Sequence, residues 1–263
     1  MEHTTSVDGT RIAYRESGSG TPVLIVGGAF SRAADADEIA AALVAAGLRA
    51  VTIDRRARGE SGDTSPYAPH REVEDLAAVL EAVGGSGVLL GHSSGAILSL
   101  LAAARGVPAT RLFLSEPPLG FGERGVPADL PERLQQMVDE GDAEEAVVTF
   151  QREAVGLPDQ VIEQIRSSPM FSGLVPLAQS VVYDATLSRA HDDPGPDLRA
   201  VAIPTTVLCG VETFPFLEVA ARRLAAAMPS ADLVIVPESR GHRVDPDATA
   251  RIIADRLETQ PQQ

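Results

Sequence analysis

An apolar run that leads without a break into the sequence Gly-His-Ser-Ser-Gly constrains the fold of this chain more than any other feature. Residues 88–90 (V-L-L) end the run, and residues 91–95 carry the glycine- and serine-rich sequence. Residues 96–104 follow, and they are mostly good helix formers with no proline. This order predicts a strand, a tight turn with a serine at its tip, and a helix.

The spacing of the two glycines around the serine has a physical reason. A serine aimed off the end of a strand needs a strained turn, and Cβ atoms two residues before and after it would collide with the neighbouring strand and helix. Gly91 and Gly95 avoid that collision. The helix that begins next offers free N–H groups to charge developing on a substrate oxygen. The pattern therefore predicts a nucleophile elbow with Ser93 as nucleophile, and the alternative is a turn without chemistry.

The length, composition and charge of the chain limit its class. Its 263 residues lie within the range of one large α/β domain, and 44% hydrophobic residues provide for a sizeable core. The formal net charge of -15 argues against nucleic acid and anionic membrane surfaces as partners. The single cysteine, Cys209, excludes an internal disulfide framework. We expect a small-molecule substrate, no nucleic-acid or membrane partner, and a monomer or homodimer.

The chain shows no targeting or membrane segment. Its first residues lack the basic and apolar regions of a signal peptide. No apolar run approaches the roughly 20 residues that a membrane span requires. A cytoplasmic protein is therefore expected.

Strand-like and helix-like segments alternate through the first part of the chain and again near its end. The predicted strands are residues 10–16, 22–26, 48–53, the run before residue 91, 111–115, 207–210 and 233–236. The predicted helices between them are residues 35–46, 72–83, 96–104, 216–227 and 245–257. This alternation predicts an α/β fold with a mostly parallel, doubly wound sheet.

One long stretch interrupts the alternation after the strand that ends near Ser115. It contains only helical segments, at residues 130–139, 143–154, 160–167 and 177–187, separated by glycine and proline. We therefore predict a core formed by residues 1–118 and 198–263, and a helical cap formed by residues 119–197. Ligand sites of open parallel sheets lie at the carboxyl ends of the strands, so the loops after the strands are the places to look for chemistry.

With these features, the chain resembles the α/β-hydrolase superfamily with a helical cap over essentially its whole length. The resemblance rests on the G-x-S-x-G elbow, on the G-G-A sequence at residues 27–29, on the loop at residues 54–61, and on Gly241-His242 after the last strand. It is similar to actinobacterial members that carry G-H-S-S-G and D-R-R-x-R-G. The resemblance implies a serine nucleophile, a histidine base and a carboxylate acid.

The predicted base is His242. It lies between the last strand and the last helix, in the loop that the fold brings over the elbow, and it keeps the chain order nucleophile, acid, histidine. The alternative is a histidine of a surface loop. His92, beside Ser93, is expected to pack within the elbow because its side chain must point away from an exposed serine.

The acid has two candidates because the usual position is not a carboxylate. The family usually places an aspartate in a G-x-x-D pattern after the next-to-last strand, and Thr213 occupies that position here. Glu212 lies one residue earlier. Glu116 ends the strand after the elbow helix and is followed by two prolines, which is similar to the acid of certain haloalkane dehalogenases. We favour Glu116 as the acid, with Glu212 as the alternative; Glu116 could also be a buried structural carboxylate.

The resemblance places the oxyanion hole at two backbone N–H groups, those of Ala29 and Ser94. Phe30 is the alternative to Ala29. Relatives often have histidine where Gly27 stands, so a side chain that commonly braces this loop is absent. The arginine-rich loop at residues 54–58 is interpreted as an ion-paired loop that braces the sheet edge, rather than as an anion site.

Together these residues predict a serine hydrolase that cleaves a carboxylic ester, lactone or thioester through an acyl-enzyme, with no metal and no cofactor. Two other classes stay open. One is a lyase or cyclase that uses the same Ser93 and His242 pair without hydrolysis. The other is a ligand-binding protein that has kept the fold without turnover.

Overall fold

Eight strands form one sheet at the centre of the computed structural model, which describes residues 1–123 and 125–259. The strands are β1 (Glu2–Thr5), β2 (Arg11–Ser17), β3 (Pro22–Val26), β4 (Arg49–Ile53), β5 (Gly87–His92), β6 (Ala109–Ser115), β7 (Thr205–Val211) and β8 (Ala231–Arg240). Their spatial order is β1-β2-β4-β3-β5-β6-β7-β8. Strands β3 to β8 pair in parallel, and β2 is antiparallel to both β1 and β4. The predicted mostly parallel sheet is confirmed.

Helices cover both faces of this sheet, and further helices lie between β6 and β7. They are α1 (Asp37–Ala45), α2 (Pro69–Ala82), α3 (Ser94–Ala104), α4 (Leu130–Asp139), α5 (Ala143–Phe150), α6 (Asp159–Arg166), α7 (Phe171–Leu174), α8 (Ala178–Ala190), α9 (Pro196–Arg199), α10 (Pro215–Ala227) and α11 (Pro246–Glu258). Apolar residues of α2, α3 and α10 pack on one face, and those of α1 and α11 pack on the other. The predicted doubly wound arrangement is therefore confirmed.

The central strands are apolar throughout because both of their faces are buried. Along β3, Leu24 and Val26 enter the core under α2 and α3, whereas Val23 and Ile25 enter the core under α1 and α11. Successive side chains of a strand point to opposite faces, so a strand between two helical layers needs apolar residues at every position. This is why the continuous apolar runs identified the central strands correctly.

The helices α4 to α8 lie between β6 and β7, within the stretch predicted as a cap. They form an apolar cluster of their own, which includes Leu134, Val147, Phe150 and Val181. Partly buried residues of the sheet domain, such as Phe30, pack against this cluster. We call residues 119–197 the helical insertion; these boundaries stay a prediction.

Two local features differ from the sequence-based expectation. β1 was not predicted, because its residues, E-H-T-T, carry no apolar alternation; it pairs with β2 at the sheet edge, where polar side chains are tolerated. The helix predicted at residues 143–154 changes to a π-helical turn at Gln151–Val155 and ends at Gly156, whose φ is 80°. In the described part of the chain, no helix is both long enough and apolar enough to cross a membrane.

Candidate active site

Ser93 lies at the junction of β5 and α3 with a strained backbone. Its φ of 54° and ψ of -125° fall in a region that non-glycine residues rarely adopt. A Cβ at Gly91 would lie 2.4 Å from the carbonyl oxygen of Gly95, and one at Gly95 would lie 2.1 Å from that of Val26. The close approach of the backbone therefore requires glycine on both sides of the serine.

Replacing Gly95 with alanine is expected to lower the free energy of unfolding by about 3 kcal/mol, because the new methyl group must displace backbone rather than a flexible side chain. Urea unfolding measures this change. Gly173→Ala is the matched control, since a Cβ there meets nothing within 4 Å and φ is not positive; it should change stability by less than about 1 kcal/mol. Equal effects at the two positions would contradict the prediction.

The structure brings His242 and Glu116 into direct contact. The Nδ1 atom of His242 lies 2.5 Å from Oε2 of Glu116, which is only 3% exposed. The backbone N–H of Gly210 donates to Oε1 at 2.9 Å, and the hydroxyl of Thr213 donates to Oε2 at 3.0 Å. Burial alone would raise the pKa of the Glu116 carboxyl, but the hydrogen bonds from His242, Gly210 and Thr213 lower it. An ionised Glu116 favours a proton on Nδ1 of His242 and leaves Nε2 as the acceptor.

Glu212, the alternative acid, occupies a different environment. Its side chain is 70% exposed and pairs with Arg240, whose Nη1 lies 2.5 Å from Oε1. Its neighbour Thr213 stands at the position where the family usually has the acid, and its hydroxyl donates a hydrogen bond to Glu116. Adjacent parallel strands explain this arrangement: Ser115 of β6 pairs in register with Leu208 of β7, so the two strand ends meet around one carboxylate.

His92 packs beside the His242 ring rather than at the tip of the elbow. The two ring centroids are 4.7 Å apart, and Nδ1 of His92 lies 3.2 Å from the hydroxyl of Ser115. Burial and the charge of His242 lower the pKa of His92 to about 3. His92 is therefore neutral near pH 7, as packing within the elbow predicts.

Ser93 and His242 line one cavity, together with both predicted oxyanion residues and with side chains of the helical insertion. The sheet domain contributes Ala29, Ser93, Ser94, Pro118, Phe214, Phe216, Leu217 and His242. The insertion contributes Gly125, Val126, Phe150, Glu153, Ala154, Val155, Asp184, Ser188 and Asp192. The cavity is thus mostly apolar, with polar groups both at the elbow and on the insertion, where Glu153, Ser188 and Asp192 line it. Among the described residues, no group of three or more His, Cys, Asp or Glu side chains is placed to hold a metal ion.

The loop after β3 passes directly over the elbow. A Cβ at Gly28 would lie 2.8 Å from Cβ of Ser93, and one at Gly27 would lie 2.6 Å from Cβ of Ser31. A histidine at position 27 would therefore not fit this loop as it stands. Phe30, the alternative oxyanion residue, packs edge-to-face on Phe150 of the insertion at 5.6 Å and is not among the cavity-lining residues.

The arginine-rich loop was predicted to be ion-paired, but its place in the structure was not foreseen. All three arginines of this loop are at most 2% exposed. Arg55 and Arg58 contact the elbow and the loop after β3, whereas Arg56 pairs with Asp8 and Asp75. Arg55 pairs with Glu72 of α2 and with Asp184 of α8. No local signal could identify these partners, because Asp184 lies 129 residues away in the chain.

Comparisons with known proteins agree with this fold. The chain matches the sequence model of the Alpha/beta hydrolase family over residues 23–252. The crystal structure of an alpha/beta hydrolase from Sphaerobacter thermophilus DSM 20745 is 39% identical and superposes with a TM-score of 0.89, covering 97% of this chain and 100% of that one.

A non-heme haloperoxidase from Rhodococcus erythropolis is 29% identical over an alignment of 239 positions, which covers 80% of this chain and 81% of that protein. The esterase RhEst1 from Rhodococcus sp. ECU1013 shares the fold with a TM-score of 0.70 at 23% identity, and the match covers 99% of each chain. The predicted resemblance is thereby confirmed: this chain belongs to the α/β hydrolase family.

Proposed function

We propose that this protein is a serine hydrolase that cleaves a carboxylic ester, lactone or thioester through an acyl-enzyme. Membership of the α/β hydrolase family supports a hydrolase in general. The observation that carries the finer proposal is the contact between His242 and the buried, ionised Glu116, in a loop that faces the strained Ser93 turn. A histidine held in this way is an effective base for a serine hydroxyl.

The proposed reaction has two halves. Oγ of Ser93 forms a bond to the acyl carbon, Nε2 of His242 takes the hydroxyl proton, and the carbonyl electrons move to oxygen. The N–H groups of Ala29 and Ser94 bind this oxyanion. The carbonyl then re-forms, the bond from the acyl carbon to the leaving group breaks, and His242 gives its proton to that group. Water then attacks the acyl carbon, and His242 again takes the proton. The carboxylic acid product is released, and the hydroxyl of Ser93 is restored.

The arrangement of elements supports these roles. Ser94 is the first residue of α3, so its N–H is one of the donors that the helix leaves unpaired and lies at the positive end of the helix dipole. Ala29 follows Gly28, where an added Cβ would lie only 2.8 Å from Cβ of Ser93. The insertion provides the far wall of the cavity, and we propose that it acts as the cap that shapes the substrate site.

Intact-mass analysis after treatment with diisopropyl fluorophosphate tests the proposal. The reagent should add once to the wild type, as Oγ of Ser93 bonds to phosphorus and fluoride leaves. Ser93→Ala should show no adduct, and His242→Ala should react at least about 100-fold more slowly because the general base is lost.

Two outcomes would contradict the proposal. One is an adduct that persists in Ser93→Ala. The other is a wild type that reacts neither with diisopropyl fluorophosphate nor with the much smaller methanesulfonyl fluoride, which removes exclusion by the insertion as an explanation. A positive result leads directly to a series of p-nitrophenyl esters of increasing acyl length.

A further inference from the structure

Asp184 of α8 forms a fully buried cluster with the arginine-rich loop and with the elbow. Its Oδ1 accepts a hydrogen bond from the hydroxyl of Ser94 at 2.7 Å and one from Nη1 of Arg55 at 2.9 Å. Its Oδ2 accepts one from Nη2 of Arg58 at 2.6 Å. The side chain of Asp184 is 1% exposed. A carboxylate of the insertion is thus bound to the residue that follows the proposed nucleophile.

The same two arginines hold the loop that carries the other proposed oxyanion donor. Nη1 of Arg58 donates to the carbonyl oxygen of Gly28 at 2.6 Å, and Nη1 of Arg55 donates to that of Gly27 at 3.2 Å. The carbonyl of Gly28 and the N–H of Ala29 belong to one planar peptide unit. A cation held on that carbonyl therefore fixes the direction of the Ala29 N–H and polarises it as a donor.

The charges of the cluster balance only when Asp184 is present and ionised. Two guanidinium groups, of Arg55 and Arg58, face two carboxylates, of Glu72 and Asp184. Burial would raise the pKa of Asp184, but the charges of Arg58 and Arg55 lower it. Removing one carboxylate would leave a buried cation without a partner, which is strongly unfavourable. The arginines would then shift, and the carbonyls that they hold would shift with them.

We propose that Asp184 is a positioning residue that aligns both oxyanion N–H groups, through Ser94 on one side and through Arg58 and Gly28 on the other. Because Asp184 belongs to the insertion, the oxyanion hole is completed only when the insertion is seated on the sheet domain. This inference rests on the proposed function, since it concerns the alignment of the proposed Ala29 and Ser94 donors. An ion pair with only a structural role would stabilise the fold, but its loss would not selectively lower kcat or weaken the binding of an oxyanion.

Asp184→Asn tests the proposal, with Asp75→Asn as the matched control. Asp75 forms an equally buried two-point pair with Arg56 of the same loop, at 2.7 and 2.8 Å. The readouts are urea unfolding, kcat and KM for p-nitrophenyl butyrate, and inhibition by an alkyl trifluoromethyl ketone. Oγ of Ser93 adds to the carbonyl carbon of such a ketone, the hydroxyl proton goes to His242, and the carbonyl electrons leave a full negative charge on the ketone oxygen.

Asp184→Asn should lower kcat about 10- to 100-fold and weaken inhibition by the ketone by a similar factor, with KM changed less than about threefold. Asp75→Asn should lower stability while keeping kcat and the inhibition constant within about threefold. Inhibition unchanged in Asp184→Asn, or weakened equally in both variants, would overturn the inference. If Asp184→Asn does not fold, Ser94→Ala removes one Asp184 contact and keeps the backbone N–H; an unchanged inhibition constant there would also overturn it.

Measurements on the wild type distinguish failure of this inference from failure of the proposed function. Inhibition of the wild type by the ketone, together with labelling of Ser93, leaves the proposed function in place whatever the Asp184→Asn result. A wild type that neither reacts with a fluorophosphonate nor binds the ketone would overturn the proposed function, and this inference with it.

Discussion

Replacing Ser93 with alanine is expected to lower kcat for a p-nitrophenyl ester by roughly 10⁴- to 10⁶-fold, which is the range for loss of a triad nucleophile. The methyl group cannot form the acyl-enzyme, so only direct attack by water remains. The cavity, the oxyanion donors and the elbow backbone should be retained, because alanine keeps the Cβ that the turn already accommodates. Steady-state kinetics at saturating ester, with circular dichroism to verify folding, measure this effect.

Two further variants make the Ser93 result specific. The double variant Ser93→Ala/His242→Ala should be no slower than the slower single variant, because the two side chains act as one unit. Ser99→Ala is the matched control: this buried serine of α3 bonds the carbonyl of Gly95 at 2.8 Å and does not line the cavity. It should keep kcat within about threefold. Retention of a tenth or more of the wild-type kcat in Ser93→Ala would contradict the assignment.

Replacing Glu116 with glutamine should lower kcat about 10³- to 10⁴-fold while leaving the shape of the site intact. The glutamine amide can donate to Nδ1 of His242, which then carries its proton on Nε2 and cannot accept the proton of Ser93. The carboxylate that stabilises the charged imidazole in the transition state is also lost. The same ester assay, run from pH 5 to 9, measures the loss. We expect that no pH in this range restores the wild-type rate.

Glu212→Gln is the control for this prediction, because it removes the other candidate carboxylate, which lies after the neighbouring strand β7. Its side chain is exposed and pairs with Arg240, so the substitution should keep kcat within about twofold. A larger loss in Glu212→Gln than in Glu116→Gln would reverse the assignment of the acid.

The features that sequence predicted well are those with local signals. Continuous apolar runs identified the central strands, because burial on both faces leaves no room for polar alternation. The elbow was identifiable because the spacing of Gly91 and Gly95 around Ser93 follows from a steric requirement that the structure displays directly. The position of His242 between the last strand and the last helix predicted its place over the elbow, and the structure puts it in the cavity that Ser93 lines; its role as base stays a prediction.

The features that sequence left open depend on distant partners. Whether Glu116 or Glu212 faces His242 depends on how the ends of β6 and β7 meet, which no local pattern encodes. Gly27 removes the histidine that commonly braces this loop in relatives, and the guanidinium groups of Arg55 and Arg58 hold the carbonyls of Gly27 and Gly28 instead. Their partner Asp184 could not be foreseen, since helical periodicity gives a buried face but not the neighbour that the face meets.

The hydroxyl of Thr213 on the Glu116 carboxylate has a consequence for how sites of this kind change during evolution. The usual acid position, here Thr213, and the position that we propose for the acid, Glu116, are in hydrogen-bond contact across two neighbouring strand ends. A chain with carboxylates at both positions would need only one shared proton to relieve their repulsion. The acid could therefore move from one strand to the next by single substitutions, through an ancestor that carries both, without a step at which His242 lacks a partner.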